Sequence, residues 1–312
     1  MGKQQASRLD MPTTRFLMNY DERRQQLADT LKQQTTGTVR LDKTTSNVFR
    51  DRADAKSQSL LDVRQFNHVL NVDPQNSLIE TEGMTTYEAL VEQSLSHGVM
   101  PAVFPQLKSI TIGGAVSGIG IESSSFRYGL PHESIGEMDV LLGSGEVVTC
   151  TPDNEHRDLF YGLANSYGTL GYILRLTVLA IPVKPYVQLT HIRFADADEL
   201  FDAVRTWTER DVDFIDGTVF QPGKHYLTIG RFVDEAPYTS DYTWMDIYYR
   251  SIPTRSEDYL TVRDYLWRWD TDWFWCSRAM GAQNPYIRRF WPKSKLRSDV
   301  SVSYTHLTLP TK

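Results

Sequence analysis

The chain has 312 residues, 40% hydrophobic and 23% charged, with a formal net charge of −6. That length can bury a sizeable core in one large domain or two ordinary ones, and the mild acidity argues against a nucleic-acid binder. Cys150 and Cys276 are the only cysteines, which excludes a disulfide framework or a zinc-ligand set and suits a reducing, cytoplasmic compartment. The chain shows neither a secretory h-region nor a run of ~18 apolar residues, so a transmembrane helix is not expected.

The spacing predicts a polar amphipathic helix over Asn19 to Gln34, with Leu27 and Leu31 on one stripe. Short β-prone runs follow at Val39 to Leu41, Ser59 to Val63, Val69 to Val72 and Ser77 to Glu82. Thr85 to Ser96 reads as a helix, capped by Thr85 or Thr86 and ended at Gly98. Glu137 to Leu142 and Val147 to Thr151 are strands around a hairpin turn, Gly143 to Glu146. A helix is expected over Asn154 to Ala164 and a strong strand over Tyr172 to Ala180. After Pro185 the pattern restarts: strand Val187 to Phe194, helix Ala197 to Glu209, and paired strands Asp213 to Phe220 and His225 to Phe232 around Gln221-Pro222-Gly223. The aromatic stretch from Tyr242 onward reads as irregular or helical. Trp207 apart, every tryptophan lies in it (Trp244, Trp267, Trp269, Trp273, Trp275 and Trp291).

Between Val103 and Glu137 lies the most informative segment, Ile112 to Ser125 (IGGAVSGIGIESSS). Gly113, Gly114, Gly118 and Gly120 allow unusual backbone angles and close approach to a ligand. Successive N–H groups in such a loop make an anion-binding concavity, and Ser117, Ser123, Ser124 and Ser125 add hydroxyls. The letters fail as a Walker loop, because Ile119 follows Gly118 where lysine is required, and as a Rossmann fingerprint, because Ser123 replaces its last glycine. Alone, the segment is equally a tight turn without a ligand. A second pair, Gly168 and Gly171, precedes the strand at Tyr172, and two such segments suit one long, bent ligand.

Together with Lys43 to Arg50 (KTTSNVFR), Pro105-Gln106-Leu107, the stretch GGAVSGIGIESSSFRYGLPHES, Cys150-Thr151-Pro152, Asp158-Leu159-Phe160, NSYGTLGYI and Asn284 to Arg288, these residues resemble the PCMH-type FAD-binding domain of vanillyl-alcohol oxidase-like flavoproteins. Within it they are most similar to the delta-24 sterol side-chain reductases and their bacterial relatives. The resemblance runs from about Val39 to Pro292. It implies an α+β fold: a two-subdomain FAD-binding domain over residues 36–183, preceded by a helical segment (1–35) and followed by a partial α+β cap, or substrate, domain (184–302). Residues 303–312 read as a non-native tail, and the cap as truncated.

By that resemblance, Thr45, Ser46 and Asn47 match the first pyrophosphate loop. Pro105, Gln106, Thr111, Gly113 and Gly114 begin the main loop along the flavin, which continues through Ser117, Gly118, Gly120, Ile121, Glu122 and Ser124. Gly168, Thr169, Gly171 and Ile173 match the adenine side. The implied chemistry is reduction of a carbon–carbon double bond in an apolar sterol or isoprenoid-like substrate, with hydride from NAD(P)H passed through FAD. No histidine suits covalent attachment, so noncovalent FAD is expected, and peripheral membrane contact fits an apolar substrate. The alternatives are an FAD-linked dehydrogenase or oxidase of an alcohol or 2-hydroxy acid, and an FAD-binding fragment without turnover. Oligomeric state, proton donor and substrate stay open.

Single residues carry competing readings. Glu122 either contacts or tunes the flavin or organises its loop by pairing with Arg127. His132 is a flavin-side acid or, more simply, a loop histidine. Tyr128 stacks near flavin or packs in the core. Arg288 and Arg289 bind a dinucleotide phosphate or form a solvated basic face. Cys150 reads as a small buried hydrophobe. The tryptophans line an apolar pocket or build the cap core.

Overall fold

The structure, a computed structural model, describes residues 19–34, 39–43, 59–272, 276–279 and 281–300. Its architecture is α+β. Three elements come from the N-terminal region: helix α1 (Tyr20–Gln33) and the parallel pair β1 (Val39–Asp42) and β2 (Ser59–Asp62). Then follow β3 (Val69–Asp73), β4 (Leu78–Glu82), α2 (Tyr87–Leu95), β5 (Val99–Pro101), α3 (Ile112–Gly118) and the single turn α4 (Ser125–Tyr128). Strands β6 (Ile135–Leu141) and β7 (Val147–Cys150), helix α5 (Arg157–Gly162) and β8 (Tyr172–Pro182) complete the first half. The first large sheet has the order β3-β4-β8-β6-β7, with β5 pairing the far end of β8. Every pair in it is antiparallel.

Helix α1 forms because Asn19 and Glu22 make a reciprocal capping box, with both hydrogen bonds at 2.9 Å. Its Leu27, Ala28 and Leu31 are buried against Leu61, Val63, Phe66, Met84, Leu141 and Leu174, each leucine contributing roughly 1.5–3 kcal/mol by leaving water. Polar bonds fix its register on the sheet. Arg23 pairs with the fully buried Glu82, and the Tyr20 hydroxyl donates to Asp139 Oδ2 at 2.7 Å.

Beyond β8 lie β9 (Tyr186–Phe194), α6 (Ala197–Thr208), β10 (Phe214–Gln221) and β11 (Lys224–Val233). The short helix α7 (Tyr248–Ser251), strand β12 (Glu257–Thr261) and helix α8 (Val262–Leu266) follow, then the single turns α9 (Cys276–Ala279) and α10 (Pro285–Arg288). The second sheet is antiparallel with order β10-β11-β9-β12. The aromatic stretch is therefore not merely irregular or helical: it supplies edge strand β12, whose Leu260 and Asp258 are fully buried while Tyr259 and Glu257 face outward, the period-2 pattern of a strand. Helix α5 is shorter than its polar start suggests, because Asn154 Oδ1 accepts from Thr151 and His156 N–H at 3.2 and 3.1 Å and closes a turn instead.

A single core runs from one sheet to the other, joining Ile79, Leu176 and Val178 with Val187, Leu189, Phe214, Trp267 and Trp269. Trp267 and Trp269 are core residues, 7% and 6% exposed. At the junction Phe104 lies edge-on to Phe214 with ring centroids 6.1 Å apart, and Phe214 meets Tyr265 at 4.5 Å. Such pairs add about 0.5–1.5 kcal/mol each beyond their buried area. Among the described residues, no helix is long and apolar enough to cross a membrane.

Candidate cofactor site

The glycine-rich segment begins as a helix rather than an open loop. Thr111 Oγ1 caps α3 by accepting from Gly114 N–H at 3.3 Å. The helix start is held to the turn after β4 by Ile112 N–H to Thr85 O at 3.0 Å and Gly113 N–H to Gly83 O at 2.9 Å. A Cβ on Gly113 would fall 2.8 Å from Gly83 O, one on Gly83 2.0 Å from Ile173 O, and one on Gly114 2.8 Å from Thr111 Oγ1. Gly113 and Gly114 thus serve helix packing and capping. Gly83 does the same from outside the segment and is not marked by any motif in the sequence. Gly171 is also a packing glycine, its Cβ position lying 2.6 Å from Val140 Cγ1, and Ile173 is a core residue, 3% exposed.

Gly118 and Gly120 differ. A Cβ at Gly118 would meet nothing nearer than Tyr167 Cε1 at 4.0 Å, and one at Gly120 nothing nearer than Glu122 Oε1 at 3.8 Å. No protein contact requires glycine at either position. Between them Ile119 has a positive φ of 57°, which turns the chain out of the helix, and Ile121 is 81% exposed. Among the described residues, the N–H groups of Gly120 and Ile121 meet no acceptor.

The two glycine segments meet directly. Ser117 O accepts from Tyr167 N–H at 2.9 Å. Asn165, Tyr167 and Gly168 all have positive φ, so residues 165–168 form a tight, exposed turn beside the end of α3. The space at Gly168 is open as well, with Gly171 O at 3.9 Å the nearest atom. The hydroxyls expected to face an anion donate inward: Ser117 to Gly113 O and Ser124 to Ala102 O, each at 2.7 Å, and Thr169 to Ser166 O, also at 2.7 Å. Backbone N–H groups, rather than these hydroxyl protons, are left to meet a phosphate. Pro105 is buried, and the Gln106 beside it is half-buried with its Oε1 unpartnered among the described residues. Thr45, Ser46 and Asn47 lie outside the described residues.

Glu122 is the most perturbed group of the segment. Burial first, and then the charge of Asp216, push its carboxyl up to about 8, against the opposing pull of Arg268 and a hydrogen bond from Gln106. The expected partner is corrected: Arg127 turns to Asp211 instead, at 3.4 Å. Strand β10 brings Asp216 to the site, since Ile215 N–H donates to Ser123 O at 2.9 Å. Arg268, whose side chain is fully buried, donates to Asp216 Oδ2 at 2.5 Å and to Tyr265 O at 2.7 Å, and its guanidinium lies 3.9 Å from the centre of the Tyr265 ring. Asp216 and Arg268 are the site residues that the sequence reading missed. Neither belongs to a motif, and only the packing of the second sheet on the glycine segment reveals them.

The remaining candidates fall into place around this centre. His132 is half-buried with Nδ1 unpartnered among the described residues, and Tyr128 packs against the main core. Cys150 is a fully buried free thiol, pushed up to about 11 by burial. Arg288 is not part of a solvated basic face. It is 1% exposed and forms a two-pronged pair with Asp272, both bonds at 2.7 Å, which removes it as a dinucleotide-phosphate ligand. Arg289 is exposed.

The two glycine segments thus meet on an antiparallel α+β unit that is joined to a second antiparallel sheet. Residues 25–151 match the family described as an FAD binding domain. Residues 25–151 thus carry a PCMH-type FAD-binding domain. It is 27% identical over 186 residues to the Delta(24)-sterol reductase of Pisum sativum, covering 56% of this chain and 33% of that protein. With the Delta(24)-sterol reductase of Homo sapiens it shares 30% over 222 residues, 66% of this chain and 42% of that protein. Cytokinin dehydrogenase 10 of Oryza sativa subsp. japonica is 28% identical over 130 residues, 42% of this chain and 24% of that protein. The chain thus spans between a third and less than half of the length of the sterol reductases it matches.

Proposed function

We propose that this chain is the FAD-binding part, with a partial cap, of an enzyme that reduces a carbon–carbon double bond of an apolar, sterol- or isoprenoid-like molecule with electrons from NAD(P)H. The observation that carries the cofactor assignment is the open space at Gly118 and Gly120, where no protein neighbour requires glycine, beside the Gly168 turn that converges on them at Ser117 and Tyr167. Backbone without Cβ atoms lets a diphosphate approach the N–H groups of Gly120 and Ile121. Gln106 and Glu122 then lie on the flavin side, and Gly168 and Thr169 on the adenine side. FAD, held noncovalently, supplies two-electron transfer, while the chain's own groups bind it, exclude water and hold a proton nearby. Residues 36–183 form the FAD-binding domain in this reading, and residues 184–302 the partial cap.

The sterol reductases among the relatives support this substrate class. The likeness to a cytokinin dehydrogenase favours the second reading, an FAD-linked dehydrogenase of another small molecule. A flavin absorbance spectrum of the purified protein, before and after acid precipitation, tests the cofactor. Yellow protein that releases its flavin into the supernatant is expected; colourless protein that cannot be reconstituted with FAD overturns the assignment. Anaerobic bleaching by NADPH but not by alcohols or hydroxy acids separates the two reactions.

A further inference from the structure

Reduction of a double bond needs a proton as well as a hydride, and Glu122 is a carboxyl beside the open glycines placed to give it. We propose that Glu122 is the proton donor of this site, with Asp216 and Arg268 from the second sheet's side setting its protonation. The inference rests on the double-bond-reduction reading above.

The geometry is specific. Glu122 follows the open glycines directly, and its Oε1 is the atom nearest to the vacant Cβ position of Gly120. It therefore sits beside the surface assigned to the cofactor. Its backbone is fixed by Glu122 N–H to Ser125 Oγ at 2.9 Å and by Ser125 N–H to Glu122 O at 2.9 Å. The next residue is locked to the second sheet by Ser123 O accepting from Ile215 N–H at 2.9 Å, and the Tyr265 hydroxyl donates to Ser123 Oγ at 3.3 Å. These bonds hold the Glu122 backbone against that seam.

Its surroundings explain its charge state. From β10 comes Asp216, a like charge; from the turn after α8 comes Arg268, already committed to Asp216 at 2.5 Å. From α2 comes Tyr87, a fully buried phenol with its hydroxyl unpartnered among the described residues, and from the segment before α3 comes Gln106, which donates to the Glu122 carboxyl. Burial disfavours the charged carboxyl most, and the one cation facing the two carboxylates, Arg268, takes Asp216 as its partner. Glu122 keeps its proton up to about pH 8 and holds a transferable acid at neutral pH, the range in which general acids work best.

In that reduction the π bond of the substrate would break and two C–H bonds would form. Bound FAD in its reduced form would supply the hydride and its two electrons to one carbon, being oxidised in turn, and Glu122 would give its proton to the other carbon, the carboxylate left behind taking a proton from water.

The test has a readout that does not depend on turnover. Infrared spectra of the protein, with and without FAD, should show a protonated-carboxyl band at pH 6.5 that titrates away with a midpoint near 8 and is missing in Glu122→Gln. Asp216→Asn, which removes the neighbouring like charge, should lower that midpoint. No such band in wild type, or its survival in Glu122→Gln, overturns the proposal, and an unmoved midpoint in Asp216→Asn overturns the role of Asp216. In stopped flow, with the flavin of each protein fully reduced beforehand, Glu122→Gln should pass electrons to a sterol with a side-chain double bond at least ~100-fold more slowly than wild type. A competent wild type matched by Glu122→Gln overturns the proposal alone. A wild type that binds no FAD, or reduces no double bond, overturns the oxidoreductase reading beneath it.

Discussion

The carbonyl of Ser117, at the end of α3, accepts a hydrogen bond from the N–H of Tyr167 at 2.9 Å. That bond ties the end of α3 to the turn that carries Gly168.

The glycines of that surface separate by experiment. Gly118→Val and Gly120→Val should fold normally, since their Cβ positions are open, yet lose FAD binding by at least ~100-fold because the new side chain stands where the cofactor backbone must approach. Flavin fluorescence titration reads the first effect and circular dichroism the second; retained binding in both variants would remove the segment from the site. Gly83→Ala should behave in the opposite way. Its Cβ would lie 2.0 Å from Ile173 O, so overpacking should cost about 1–3 kcal/mol or more in urea unfolding.

Arg288→Met should destabilise the chain by about 3–5 kcal/mol, because Asp272, 1% exposed, would keep a buried charge without its partner. Urea midpoints measure this. A loss below 1 kcal/mol would mean that Asp272 finds other donors or becomes protonated. FAD affinity should change far less than in the Gly118 variant.

Removing the Tyr20 hydroxyl isolates one polar bond of the N-terminal helix. Tyr20→Phe deletes the donor to Asp139 at 2.7 Å, while Arg175 and Thr149 still serve that carboxylate. A loss of about 1–2 kcal/mol is expected from chemical denaturation, with the helical signal of α1 retained.

Two buried groups give opposite pH dependence. His191 is 7% exposed and burial lowers it from 6.5 to about 4. Its folded pKa lies below its unfolded one, so the unfolded chain binds more protons between those values, and stability falls as pH drops from 6.5 to 4, by of the order of 3 kcal/mol. Glu122 is raised from 4.5 to about 8. Here the folded chain holds the extra proton, and stability falls as pH rises from 4.5 to 8. Unfolding curves across pH should therefore show His191→Asn relatively more stable than wild type at pH 4.5 than at pH 7, and Glu122→Gln gaining on wild type toward pH 8. Flat differences would mean that these groups titrate alike in both states.

Much of the fold was legible because local chemistry agreed with it. The Asn19–Glu22 box started α1, Thr86 capped α2, and the Gly145 turn and the Gly223 turn, both at positive φ, closed hairpins where the letters placed them. Strand β12 was hidden because Asp258, fully buried, interrupts its apolar pattern; it is satisfied by Ser240, Tyr242 and Arg255, partners that only the fold brings near. Arg288 looked like a surface cation for the same reason, since its partner Asp272 is distant from any motif it belongs to.

By itself the sequence determined the FAD-binding domain match over residues 25–151 and the two glycine segments, because glycine content and turn chemistry are local properties. Only the tertiary structure decided which glycines are free. Gly83, Gly113 and Gly171 are occupied by neighbouring backbone and side chains, whereas Gly118, Gly120 and Gly168 face open space. It also decided the electrostatics: Asp216 and Arg268 reach Glu122 across a seam between sheets, and an electrostatic field depends on distance in space, which no order of letters records.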